Sequence, residues 1–285
     1  MAGGGDRGGR GAPDPDKLLA RVHLGTAGWS YKDWVGPFYP DGTPAAGMLE
    51  RYMERYRAVE LDSSFYGIPP KRNVEAWRRK ARPGFAFAPK FPQVITHEKF
   101  LVDCDEELEV FLGRMALLGD ALGPLVLQFP YFNKKSGVEV MGFVGRLKPF
   151  LERFEALGGR GLCVEVRNKT FWKPPLLDLL RAHGVPLVVI DHPWMPPPDQ
   201  LLGRDDLLTG GLAYVRLLGD RYGIEKITKT WERPVLDLGW RLDGWARWIR
   251  EVLPTREVWA FANNHFAGFA PASIDDLRDR IVSGR

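Results

Sequence analysis

Gly161-Leu162-Cys163-Val164-Glu165-Val166-Arg167-Asn168 is the stretch on which the reading of this chain turns. It is an apolar run of strand length, and Glu165 and Arg167 occupy alternate positions before it breaks off into Asn168. Strand-length runs that break off into charge and alternate with helix-like stretches favour a parallel sheet with its binding surface at the strand ends. Seven more runs follow the same rule: Val22–Gly25, Ala58–Leu61, Phe85–Ala88, Leu125–Phe129, Leu187–Ile190, Ala213–Leu217 and Val258–Phe261. Helix-like stretches separate most of them. Eight strands with roughly eight intervening helices and no linker between them predict an α/β fold, a single TIM-type (β/α)8 barrel.

Boundaries follow from composition. Residues Met1 to Asp16 are Gly-rich, of mixed charge, and nearly devoid of large apolar side chains. Such a segment buries too little surface to offset its ordering entropy, so residues 1–17 are expected to be a disordered tail and residues 18–285 the barrel domain. After the first strand, Thr43-Pro44 reads as a helix N-cap and first helical position, and Leu49, Tyr52, Met53 and Tyr56 recur at helical spacing. A further helix is expected over Pro234–Val252, and His97 and Glu98 fall in a long loop.

Net charge is +4 and the sequence pI is about 9.0, a mild bias towards anionic partners. The densest basic cluster, Lys71, Arg72, Arg78, Arg79, Lys80 and Arg82, reads as the solvated face of an outer helix, which places nucleic-acid binding below the enzyme readings. Cys104 and Cys163 are far apart and form no CxxC pair, so neither a zinc ribbon nor a redox motif is expected. No apolar stretch approaches the roughly 18 residues of a membrane span, and no signal-peptide core follows Met1; a soluble cytoplasmic protein without membrane association is expected. The sequence is silent on oligomeric state.

Side chains at i and i+2 of a strand share a face, so Glu60 pairs with Asp62, Glu165 with Arg167, and Tyr214 with Arg216. Charges inside apolar strands are costly unless paired or set at a wet mouth, and the C-terminal end of a parallel barrel is that mouth. Converging there would be Trp29, Tyr31, Glu60, Asp62, Tyr66, Lys90, Gln128, Glu165, Arg167, Asp191, Arg216, Asn263 and Asn264. Glu60, Glu165 and Lys90 are the catalytic candidates and the others the substrate-binding ones, set against a plainly structural ring of Glu60, Lys90, Glu165 and Arg216. The cations suit a phosphate or carboxylate clamp. The leading reading is thus a hydrolase-type enzyme for a small anionic substrate, a phosphate ester or nucleotide-like molecule. The alternatives are a glycosidase using Glu60 and Glu165, which needs carboxyl groups roughly 5–9.5 Å apart, and a non-catalytic nucleic-acid-binding protein. His97, His192, His265, Asp191 and Glu165 lack any HxxxH, HxH or HExxH spacing, so no metal is expected. No GxGxxG fingerprint, Walker loop or GxSxG elbow occurs, so no cofactor is expected either.

Longer blocks resemble a known family. Gly25-Thr26-Ala27-Gly28-Trp29-Ser30-Tyr31, with Trp34, Gly36, Phe38, Tyr39 and Pro40, resembles the opening signature of the YecE-like family, domain of unknown function 72. Val59-Glu60-Leu61-Asp62-Ser63-Ser64-Phe65-Tyr66 is similar to its second block, where Asn is more usual than Asp62. Phe87-Ala88-Pro89-Lys90 with Ile95-Thr96-His97 resembles the third, and Gly123-Pro124-Leu125 with Gln128-Phe129-Pro130 the fourth. Val164-Glu165-Val166-Arg167-Asn168 with Trp172 resembles the fifth, where His is commoner than Asn168. Tyr214-Val215-Arg216-Leu217 and Phe261-Ala262-Asn263-Asn264 resemble the late blocks, with Tyr often found where Ala260 or Phe261 stands. The resemblance implies a TIM-type barrel of unestablished function and points to the same strand-end residues. A mechanism that used an imidazole at Asn168 is not open to this chain.

Overall fold

The computed structural model describes residues 15–284, so the tail expected over residues 1–17 falls almost wholly outside the described residues. Eight strands follow in chain order: β1 (Val22–Thr26), β2 (Ala58–Leu61), β3 (Ala86–Pro89), β4 (Leu125–Gln128), β5 (Leu162–Glu165), β6 (Val188–Asp191), β7 (Leu212–Leu217) and β8 (Glu257–Ala262). Each overlaps the run expected for it. All pairings are parallel, in three ladders: β1-β8-β7-β6, β2-β3 and β4-β5.

Isolated bridges join the ladders: Ala27 with Glu60, Phe87 with Leu122 and Lys90 with Val126, and Val164 with Leu187. The strands therefore neighbour one another in cyclic order and the fold is TIM-barrel-like. The uninterrupted closed ladder expected from the sequence is not formed. Local chemistry explains two of the breaks. Between β5 and β6 the Val164 N–H donates to the carbonyl of Pro186, which has no N–H to return, and the Thr209 hydroxyl bonds Val185 O and Leu187 N instead. Between β1 and β2 the Tyr52 hydroxyl accepts from Thr26 N (2.8 Å) and donates to Ala58 O (3.1 Å). A Cβ on Gly25 would lie 2.0 Å from Ala58 O, so only glycine permits this approach.

Outside the strands lie the main helices: Met48–Met53, Lys71–Lys80, Asp105–Met115, Val140–Ala156, Pro174–Ala182, Gly239–Val252 and Ala270–Ser283. Leu49, Tyr52, Met53 and Tyr56 are all buried, as their spacing requires. Thr43 does not cap this helix; its hydroxyl closes a turn onto Pro40 O, and a 3-10 turn at Ala45–Gly47 leads in. The helix expected from Pro234 begins at Gly239, because the Val235 N–H is taken by Ala267 O rather than by a helical partner. The sequence around His97, read as loop, forms a π-helical turn at Val94–Glu98. Among the described residues no helix is long and apolar enough to cross a membrane.

Tyr52→Phe keeps the ring and removes the hydroxyl that spans the first seam, leaving Thr26 N–H and Ala58 C=O buried and unpaired. A loss of about 1–3 kcal/mol in unfolding free energy is expected from urea titration; an unchanged midpoint would show that the seam needs no such bridge.

Candidate functional site

At the C-terminal ends of the strands lies a cavity of about 590 Å³, and behind its floor is a buried ionic cluster. Arg216, the last inward-facing residue of β7, is 2% exposed and sits between two carboxylates that are fully buried. Its Nε donates to Glu60 Oε1 (2.8 Å), one terminal nitrogen to Glu60 Oε2 (2.5 Å) and the other to Glu165 Oε2 (2.5 Å). Glu60 belongs to β2, Glu165 to β5 and Arg216 to β7, so one guanidinium ties together all three ladders. The Tyr214 hydroxyl donates to Glu60 Oε1 (2.9 Å), and Arg167 Nε donates to Glu165 Oε1 (2.9 Å).

Lys90, just past β3, bonds Asp62 Oδ1 (3.0 Å) and lies 4.8 Å from the centre of the Phe65 ring. Asp62 also faces Arg216 at 3.6 Å. Ser64 fixes the lysine from behind: its hydroxyl accepts from Lys90 N and lies 2.7 Å from Leu61 O and 2.8 Å from Lys90 O.

These environments separate the acids. Burial pushes the Glu60 carboxyl up, against the pull of Arg216. Burial acts the same way on Glu165, but Arg216, Arg167 and Lys90 together outweigh it and hold that carboxyl down to about 2. Asp62 is likewise lowered: burial opposes, and Lys90 and Arg216 prevail. Burial, reinforced by Arg167 and Lys90, lowers His97 to about 4, so its imidazole is neutral at pH 7. His192 is lowered by burial and then by Arg167.

Nine of the thirteen residues expected at the mouth line the cavity: Tyr31, Asp62, Tyr66, Lys90, Gln128, Arg167, Arg216, Asn263 and Asn264. Glu60 and Glu165 lie beneath its floor rather than on it. Trp29 and Asp191 are placed elsewhere. Trp29 packs edge-on against Trp77 (5.8 Å) of an outer helix, and its carbonyl accepts from the Tyr39 hydroxyl. Asp191 accepts from Trp245 Nε1 (2.6 Å) and from Arg241 of the helix Gly239–Val252, so it points into the helical layer. The alternation rule accounts for this: along β6, His192 shares a face with Ile190 and reaches the mouth, whereas Asp191 faces outward.

Sequence reasoning did not single out His192, His265, His97, Gln93, Arg221 and Trp231 for this wall, although all line it. Extending period two one residue past β6 finds His192; the others arrive on loops that carry no such signal. Asn168, where the family more usually has His, clamps the loop after β4: its Oδ1 accepts from Phe132 N and its Nδ2 donates to Phe132 O, both at 2.9 Å. Among the described residues no three His, Cys, Asp or Glu side chains are grouped to hold a metal ion.

The comparisons agree on kinship. The family described as "Protein of unknown function DUF72" matches residues 23–284. The UPF0759 protein YunF of Bacillus subtilis (strain 168) is 26% identical over 277 residues, spanning 87% of this chain and 90% of its own. The UPF0759 protein YecE of Escherichia coli (strain K12) is 31% identical over 177 residues, 60% of this chain and 59% of its own. A crystal structure of a DUF72 family protein from Thermotoga maritima superposes with a TM-score of 0.69 at 24% identity, covering 93% of this chain and 99% of that one. A glycoside hydrolase family 10 endo-β-1,4-xylanase (TM-score 0.56, 9% identity) and a D-tagatose 3-epimerase-like protein (0.54, 10%) are alike in fold alone.

Arg216→Leu leaves Glu60 and Glu165 buried without their shared cation and is expected to lower unfolding free energy at neutral pH by about 3–5 kcal/mol. The pH dependence carries a sign. In the wild type, Glu165 is held below the usual 4.5, so its contribution is present in full above that value and is lost as pH falls through about 2. In the variant the largest charge opposing burial is gone, leaving only Arg167 and Lys90 against it, so both carboxyls rise and stability is instead lost as pH rises through the raised values. Urea titrations should therefore show the two proteins converging as the pH is lowered from 7 to about 5. A gap that stays constant would mean that Arg216 does not set these carboxylates.

Proposed function

Because this chain belongs to the DUF72 family of unknown function, kinship supplies no activity, and we propose from the geometry of the mouth that it is a hydrolase-type enzyme for a small anionic, phosphate-ester-like substrate. The supporting scaffold is read as one (β/α)8 barrel domain spanning residues 18–285. The observation that carries the reading is Arg167. Its Nε is spent on Glu165, and its two terminal nitrogens have no protein partner among the described residues while the side chain lines the cavity. A guanidinium fork held at one end and open at the other suits bidentate contact with a phosphoryl or carboxylate group.

Lys90 and Arg216 reinforce the same wall, each held in place by a carboxylate. Across the charged layer, Lys90, Arg167 and Arg216 balance Glu60, Asp62 and Glu165, and of the three cations Arg167 is the most open to an arriving anion. Proton transfer falls to the neutral imidazoles. His97 sits on a π-helical turn followed by Phe100, Leu101 and Asp103, all non-glycine residues at positive φ (45°, 66° and 48°). Such strain persists where surrounding structure imposes it, and it gathers at functional sites. His97 as general base towards a water, with Arg167 and Lys90 on the phosphoryl oxygens, is the arrangement this supports.

The carbohydrate reading needs Glu60 and Glu165 within reach of a substrate; both are buried and engaged by Arg216, and it is not carried further. Nor does the Lys71–Arg82 cluster favour nucleic acid. Four of its six cations already face carboxylates: Lys71 with Glu75, Arg78 with Asp120, Lys80 with Glu50, and Arg82 with Glu54.

Calorimetric titration should detect inorganic phosphate binding to the wild type, with affinity reduced about ten-fold or more in Arg167→Gln, the equivalent of one charged hydrogen bond. Hydrolysis of an aryl phosphate should fall by about 10²- to 10⁴-fold in His97→Gln with phosphate binding retained. Unchanged affinity in Arg167→Gln would remove the clamp. Phosphate binding without turnover of any phosphate ester would leave an anion-binding protein and remove the enzyme.

A further inference from the structure

We propose that the Tyr131–Trp194 pair is a shelf for a nucleobase, so that the anion taken by the mouth is the phosphate of a nucleoside monophosphate; this rests on the anion-binding reading above and names its substrate class. Tyr131 and Trp194 are contributed by the loops after β4 and β6, and their ring centres lie 5.0 Å apart. They are 46% and 52% exposed, whereas Trp34, Trp172, Trp245, Trp248 and Trp259 are buried in the core. Core packing thus does not account for Trp194.

The shelf is continuous with the cavity through one residue. Trp194 meets the His192 ring edge-on at 4.9 Å, the Trp194 backbone N–H donates to His192 Nδ1 (3.3 Å), and His192 lines the cavity wall. A ligand with its phosphate against Arg167 would therefore extend past His192 onto an aromatic surface. The loop behind Trp194 is Pro193, Met195 and Pro196–Pro198, which fixes the backbone and presents the ring with little conformational freedom to lose.

The same loop argues for a base over a sugar. A sugar ring stacked on tryptophan also needs side chains to take its hydroxyls, and Pro193, Met195 and Pro196–Pro198 offer none. On the Tyr131 side, Asn133 Oδ1 is already accepting from Lys135 N and Ser136 N. The two rings are tilted 55° to one another, so a planar heterocycle would stack on the Trp194 face with Tyr131 along its edge, and base–aromatic stacking tolerates any base.

The test compares inorganic phosphate, ribose 5-phosphate and adenosine 5′-monophosphate by calorimetry on the full chain. Adenosine 5′-monophosphate should bind at least about ten-fold more tightly than ribose 5-phosphate. Trp194→Ala should abolish that advantage while leaving phosphate affinity within about two-fold, and Trp194→Phe should keep most of it, because a π face remains. Tyr131→Ala, tested separately, should weaken the nucleotide alone. If the nucleotide and ribose 5-phosphate bind equally to the wild type, or if Trp194→Ala leaves the difference intact, the shelf is wrong although the anion site stands. If phosphate itself does not bind, the mouth reading falls and takes the shelf with it.

Discussion

The architecture depends on one guanidinium. Three strand ladders that share only isolated bridges at their seams are joined across the interior by Arg216, which reaches Glu60 in the second and Glu165 in the third from its own place in the first. Removing ions from water costs several kcal/mol apiece, so such a cluster persists only where geometry and further hydrogen bonds repay it. Here all three Arg216 nitrogens are used, and Glu60 also accepts from Tyr214. The net gain in stability over an apolar plug is small on general grounds. The cluster instead fixes which strand faces which, and at what height.

That fixed height makes the mouth. Above the Glu60–Arg216–Glu165 layer the inward positions pass to Asp62, Lys90 and Arg167, each bound to the layer below or beside it. A cation whose stem and one nitrogen are pinned keeps its remaining donors aimed at the cavity without a rotamer penalty when a ligand arrives. The neutral imidazoles owe their state to the same arrangement: burial and the neighbouring cations exclude the proton that each would carry in water.

Much of this was readable without coordinates, and the limits have physical causes. Period two is a property of the backbone, so Glu60 and Asp62, Glu165 and Arg167, and Tyr214 and Arg216 were paired correctly by face. The rule says nothing of depth, and depth separates Glu60 and Glu165, sealed under Arg216, from Asp62 and Arg167 on the surface above. Asp191 is assigned to the mouth as the residue at which the run Leu187–Ile190 breaks off, whereas its parity with Ile190 and His192 sets it on the opposite face. Trp29 is expected at the mouth from its place just past the first strand, yet Trp77 and Phe87 are within reach to cover it. His97 read as loop because Val94, Ile95 and Thr96 are β-branched and poor in helix propensity; tertiary contacts impose the π-turn that carries it.

The seams raise a last point about why this sheet is divided. Each ladder break falls beside an inward charge: Glu60 at the first, Lys90 at the second, and Val164, next to Glu165, at the third. A continuous ladder sets strand spacing by backbone hydrogen bonds alone, about 4.8 Å from chain to chain. Where the ladder lapses, spacing is set by what lies between, and here that is a tyrosine hydroxyl, a proline carbonyl and a bridge of charged side chains. The backbone pairing given up at the seams and the ionic contacts made inside them are thus two aspects of one design. β7, which carries Arg216, is paired along both edges, whereas β2 with Glu60 and β5 with Glu165 are laddered on one side only, and the ion cluster supplies across the middle the cohesion that those open edges lack.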